Sequence, residues 1–170
     1  MPNNLLAMLT RYNRWANGLI FEAVAALPEG EAEKPRQTVF SSILRTLDHV
    51  YVVGRIFQAH LEGRPHGYEA RVSPETPQLG ELAAWQRALD DWYVSIGDRL
   101  SADGADEPVD FTFVDGGSGR MTRAEILLHV VNHTSYHRGF VADLLRQIPA
   151  RAPVTDLPVF IRDRSRGAGA

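Results

Sequence analysis

The sequence predicts an all-α protein, a four-helix bundle with long connections and one short β-hairpin before the last helix. Three observations predict it. Four segments repeat apolar residues at the three-and-four spacing of an amphipathic helix. The stretch "EPVDFTFVDGGSGRMT" at 107–122 instead alternates Val109, Phe111 and Phe113 with Asp110 and Thr112, then meets a glycine-rich turn. The chain of 170 residues, 44% apolar and 23% charged, is long enough to enclose one core and ordinary enough to be globular.

The first helix is marked by Leu5, Met8/Leu9, Tyr12, Ala16, Leu19, Ala23 and Leu27, with Asn3 or Asn4 as its cap. Pro28, Gly30 and Pro35 break the pattern. The second follows Ile43, Leu47, Val50, Gly54, Phe57 and Leu61, and stops at Gly63 with Pro65 just beyond. Thr76 as cap and Pro77 as first residue open the third, whose stripe is Leu82, Trp85, Leu89, Trp92/Tyr93, Ile96 and Leu100. The hairpin comes next. Thr122 and Glu125 then supply the T-x-x-E capping box of a fourth helix, which runs to about Ile148 before Pro149. "APVTDLPVFIRD" carries two prolines and reads as an extended segment laid over the bundle. Residues 1–162 thus form one domain, and 163–170 read as a disordered tail.

Several function classes are disfavoured by composition. The formal charge is 18 − 21 = −3, with arginines scattered among acids, so no basic face invites nucleic acid or an anionic membrane. The chain has no cysteine, which removes disulfides, thiolate zinc sites, Fe–S clusters and a cysteine nucleophile. No secretory signal and no apolar run of membrane-spanning length is visible, so a cytoplasmic setting is expected. "DGGSG" at 115–119 is a turn, since no P-loop lysine follows it.

The chemistry lies in "HVVNHTSYHRG". His129, His133 and His137 follow one another at four-residue spacing, so they stack on one helix face along Ile126, Tyr136, Phe140 and Leu144. Six histidines placed at random would form on the order of 0.2 such pairs, and two occur here. Imidazoles on an inward stripe need partners. They are either hydrogen-bonded core residues or metal ligands, with a histidine of the second helix, His49, as a third donor. Thr134 follows His133, so the HExxH of zinc proteases is absent. Asp48 reads as a solvated or capping carboxylate, and His66 as a solvated loop residue. His60 lies roughly 16 Å along the helix from His49 and is no co-ligand. Trp15, Trp85 and Trp92 read as core or interface.

"YNRWAN" at 12–17, "LDHV" at 47–50, "DGGSGRMTRAEILLHVVNHTSYHRG" at 115–139 and "PVTDLPVF" at 153–160 fall in the order seen in the DinB-like (DinB/YfiT) family, and the chain resembles that family over nearly its whole length. The resemblance implies His49, His133 and His137 as ligands of a divalent metal, in a bundle of unusual connectivity that commonly dimerises. Phe140 departs from the pattern, because many relatives carry glutamine after "HRG". His129, one turn below His133, is then a fourth ligand, a hydrogen-bond partner of a ligand or a structural residue; the structural role is favoured, since three successive turns span about 12 Å and one ion does not easily hold both ends and the middle. Asn132, Arg138, Tyr12, Asn13 and Trp15 are further candidates for the pocket around the metal. Three imidazoles leave an open coordination position, which suits catalysis. The family's thiol-dependent transferases and isomerases imply activation of a low-molecular-weight thiol, with a small-molecule substrate as partner. Metal-dependent hydrolysis, a non-catalytic metal-binding stress protein and a metal-free binding module are the alternatives. Zinc or nickel leads among the ions, and iron, manganese and cobalt also suit imidazole.

Overall fold

The computed structural model describes residues 5–100 and 102–167. In order, the elements are α1 (Leu5–Ala25), α2 (Ile43–Leu61), α3 (Leu79–Arg99), a single turn α4 (Ala102–Ala105), β1 (Pro108–Thr112), β2 (Ser118–Thr122), α5 (Arg123–Arg146) and α6 (Leu157–Gly167). The hairpin is antiparallel, with Val109 opposite Met121 and Phe111 opposite Gly119. The all-α bundle with one hairpin is therefore the observed fold.

Local chemistry explains the ends. Ser42 caps α2 by accepting the Arg45 N–H at 3.0 Å. Gly63, at φ 67°, closes α2 in a Schellman turn: Arg64 N–H reaches Ala59 O, and Gly63 N–H reaches His60 O. Thr122 and Glu125 form the expected capping box at the start of α5. Thr76 does not cap α3. That helix begins at Leu79 with Gln78 at the cap and no side-chain bond there, while the Thr76 hydroxyl accepts from Arg45 instead.

α1 packs on α3 and α5, and α2 packs on α5 and α3. Helices α1 and α2, consecutive in the chain, therefore sit across the diagonal, which the long connections permit. Two apolar clusters fill the interior. Ile20, Val24, Ile43, Leu47, Leu82, Val141 and Leu145 belong to one. Val53, Phe57, Leu89, Tyr93, Phe111, Ile126 and Val130 belong to the other. Between them the same helices carry buried polar residues: Asn13, Asn17, His49, Gln86, Asp90, His137 and Arg138. This polar waist holds the candidate site residues.

Two expectations need correction. The buried stripe of α1 is Thr10, Asn13, Ala16/Asn17, Ile20 and Val24, whereas Leu5 is 59% exposed. Apolar spacing selected the wrong flank because asparagine amides, once hydrogen-bonded, bury as well as leucine. The segment expected to be extended contains α6. Pro158 is its second residue, where a missing N–H costs nothing, and Phe160 packs its ring on Tyr12 and Trp15 at 5.9 and 5.6 Å. The helix continues to Gly167, through the first residues of the stretch read as a tail. Asn3 and Asn4, and residues 168–170 of that stretch, lie outside the described residues.

Candidate metal centre

α5 lies between α2 and α1, and consecutive helical residues differ by about 100°. His137 therefore turns toward α2 while its neighbour Arg138 turns toward α1. On the α2 side, one ring nitrogen each from His49, His133 and His137 gather within 4.8 Å of one another. His49 Nε2 and His133 Nε2 stand 3.1 Å apart, and the ring centroids are 4.5–5.0 Å apart.

The His49 tautomer is set from outside the cluster. Its Nδ1 lies 2.7 Å from the Arg71 carbonyl oxygen, which can only accept, so Nδ1 carries the proton and Nε2 presents its lone pair. Asp48, the adjacent residue, secures that carbonyl. Its carboxylate is fully buried and accepts from Ser73 N–H at 2.9 Å, Ser73 Oγ–H at 2.6 Å and the Arg45 guanidinium at 3.2 Å. Asp48 is thus an anchor for the loop rather than a solvated carboxylate. Phe40 stacks on the His49 ring at 4.1 Å.

These residues fit a divalent cation. Bonds of about 2.1 Å in tetrahedral array place two donor nitrogens about 3.4 Å apart, near the His49–His133 spacing. His137 Nδ1 is buried without a hydrogen-bond partner among the described residues. Burial pushes the His49 pKa down, takes His133 to about 3 and His137 to about 4, so all three rings are neutral donors at pH 7. His133 is lowered further by the charges it would meet on the other two rings.

The cluster opens into a cavity of about 530 Å³ walled by Phe40, Val53, Ile56, Phe57, His60, Phe113, His129, Tyr136 and Phe140, with Arg71 and Asp115 among its lining. His129 lies outside the three-histidine group, its ring 4.5 Å from Phe57 and 5.7 Å from His133. His60 stacks on Phe111 at 4.7 Å, and His66 accepts the Tyr68 N–H in its own turn. The face of α5 that enters the apolar clusters is Ile126/Leu127, Val130/Val131, Thr134, Val141 and Leu144/Leu145. The histidine stripe borders a cleft instead, and Tyr136 is 64% exposed.

A family model described as the DinB family matches residues 1–167. The chain belongs to the DinB family. A relative named Protein DinB, from Bacillus subtilis (strain 168), is 27% identical over 158 residues, covering 90% of this chain and 91% of its own. Membership and geometry agree on one point: the three-histidine group of this DinB-family chain is compatible with a bound metal ion. Among the described residues, no helix is long and apolar enough to cross a membrane.

The remaining candidates fall elsewhere. Asn132 is exposed on α5. Tyr12, Asn13 and Trp15 do not line the cavity, because α1 sits diagonally from α2. Tyr12 donates its hydroxyl to Thr155 O, and Trp15 supports α6. Asn13 joins a buried network in which Arg138 donates to Asn13 and Asn17 Oδ1, at 2.6 and 2.9 Å. Asn17 and Gln86 in turn donate to Asp90. "YNRWAN" and "YHRG" thus meet in the waist as an interhelical lock. Trp85 is 43% exposed against Tyr51, and Trp92 is half-buried on Tyr93. Sequence reasoning missed Phe40 and Arg71. Both come from loops whose path no periodicity describes.

Proposed function

We propose that this DinB-family chain is a metal-dependent enzyme that activates a low-molecular-weight thiol for transfer to, or isomerisation of, an electrophilic substrate. One observation carries the reading: three neutral imidazoles converge beside an open apolar cavity, without a fourth protein donor among the described residues. A divalent ion there, with zinc or nickel first in order, supplies the Lewis acidity that lowers the pKa of a thiol sharing the site. The chain itself orients that site through the His49–Arg71 hydrogen bond and lines its walls with phenylalanines. The sulfur arrives with the substrate, because the chain has no cysteine. In a transfer, the thiol proton passes to solvent and sulfur forms a bond to the electrophilic carbon. The leaving group departs with the electron pair of the bond it held. A homodimer is part of the same reading.

Elemental analysis tests it first, on protein purified without a histidine tag or nickel column. About one metal ion per chain is expected. His49→Ala, His133→Ala and His137→Ala should each lose it while remaining folded by circular dichroism. Metal-loaded protein should then accelerate the reaction of a small thiol with an aryl halide. Absence of metal, with no uptake of added zinc or nickel, would return the histidines to a packing role.

A further inference from the structure

We infer that the cavity beside the three histidines selects a substrate with an apolar body and one carboxylate, the carboxylate seated on Arg71. The inference rests on the proposed function only for the claim that this cavity is where substrate binds. Among the described residues, Arg71 is the one permanently cationic side chain in the cavity lining, and its charge is felt at both His49 and His133. Its side chain is exposed and makes no hydrogen bond or ion pair among the described residues.

Loop cations usually move freely, but the backbone around this one is pinned. The Arg71 carbonyl accepts from His49 Nδ1, and two residues on Ser73 is held at N and Oγ by the buried Asp48 carboxylate. The root of the side chain is therefore held beside the histidines while its guanidinium stays free, and the guanidinium fork matches a carboxylate in two parallel hydrogen bonds. Asp115, the acid in the lining, accepts the Gly117 N–H in its own turn at 3.2 Å.

Apart from its five histidines and the Tyr136 hydroxyl, the rest of the lining is apolar. Phe57 and Phe140 line the interior, while Val39, Phe113 and Tyr136 stand 72, 48 and 64% exposed among the lining residues. Aromatic and aliphatic side chains so exposed around a cavity of about 530 Å³ favour an aryl or long alkyl group over a polyhydroxylated one. The chemistry that fits is an aryl- or alkyl-bearing carboxylic acid.

The test compares 3-phenylpropanoate with its neutral amide by calorimetry on metal-free protein, and 2-sulfanyl-3-phenylpropanoate with its amide on cobalt-loaded protein. In both, the acid should bind about tenfold more tightly. Arg71→Gln should reduce that preference to within about twofold, leaving amide affinity and cobalt content unchanged, and Arg71→Lys should retain part of it. Lactate, with the same charge and no apolar body, should bind at least about tenfold more weakly than 3-phenylpropanoate. Equal binding of acid and amide, or a preference that survives Arg71→Gln, would overturn the role of Arg71. Equal binding of lactate would overturn the apolar half. Failure to take up cobalt would sink the metal reading alone, because the metal-free comparison still decides this one.

Discussion

At the scale of single residues, each histidine of the centre offers one donor atom, and at His49 the groups that aim it are visible. His49 can offer Nε2 because a carbonyl has claimed its Nδ1 proton, and that carbonyl stays in place because Asp48 holds Ser73. Outer groups of this kind commonly alter metal affinity 10–100-fold. Ser73→Ala should therefore weaken metal binding by about tenfold, read by competition with a chelator of known affinity, while retaining the ligand set. His129→Ala should retain full metal content in the same assay, because its ring lies outside the group of three. Loss of metal from that variant would make His129 a ligand.

At the scale of elements, α5 carries two of the three clustered histidines, and its start is held by a reciprocal cap. Thr122→Ala removes the acceptor for Glu125 N–H and should cost about 1 kcal/mol in urea denaturation. The hairpin acts through Phe111, which is buried on Phe57 and His60 and lies across from Gly119. A Cβ at Gly119 would meet the Phe111 ring at 2.4 Å. Gly119→Ala should accordingly displace that ring and cost about 1–3 kcal/mol. A neutral result would mean that the ring has room to turn aside.

Across the whole molecule, the polar waist makes stability depend on pH. In metal-free protein His133 and His137 titrate at about 3 and about 4, against 6.5 in the unfolded chain. As pH falls below 6.5 the unfolded chain takes up protons that the folded chain refuses, so stability declines until the pH reaches their folded values. Asp90 works in the other direction. Burial raises it to about 6 from 3.8, so it contributes stability at low pH that is lost as pH rises through 6. With His49, His60 and His129 lowered by burial in the same direction, the histidines outweigh the one carboxylate, and the urea midpoint should fall between pH 7 and pH 4. Asp90→Asn should steepen that fall. On the α1 side, Arg138→Met would leave the buried Asn13 and Asn17 carbonyl oxygens without their donor, at a cost of about 1–3 kcal/mol each.

The sequence by itself determined the four long helices, the hairpin, the capping box and the shared face of the α5 histidines. Each is written in short-range spacing: apolar side chains recur with the helix turn, and His133 and His137 share a face whatever the helix packs against. Asp48 was legible as a neighbour of His49 but not as a buried anchor, since spacing says nothing of what a carboxylate meets across a loop. The flank of α1 that is buried was hidden for a related reason. Asn13 and Asn17 look solvent-facing until Arg138 and Asp90, more than seventy residues away, satisfy their amides. Only the tertiary structure decided that α1 and α2 lie on the diagonal, that Phe40 and Arg71 reach His49, and that Tyr12 and Trp15 support α6 rather than the metal pocket. Those contacts join segments far apart in the chain. Their energy comes from long-range packing and hydrogen bonding, which leave no period in the sequence.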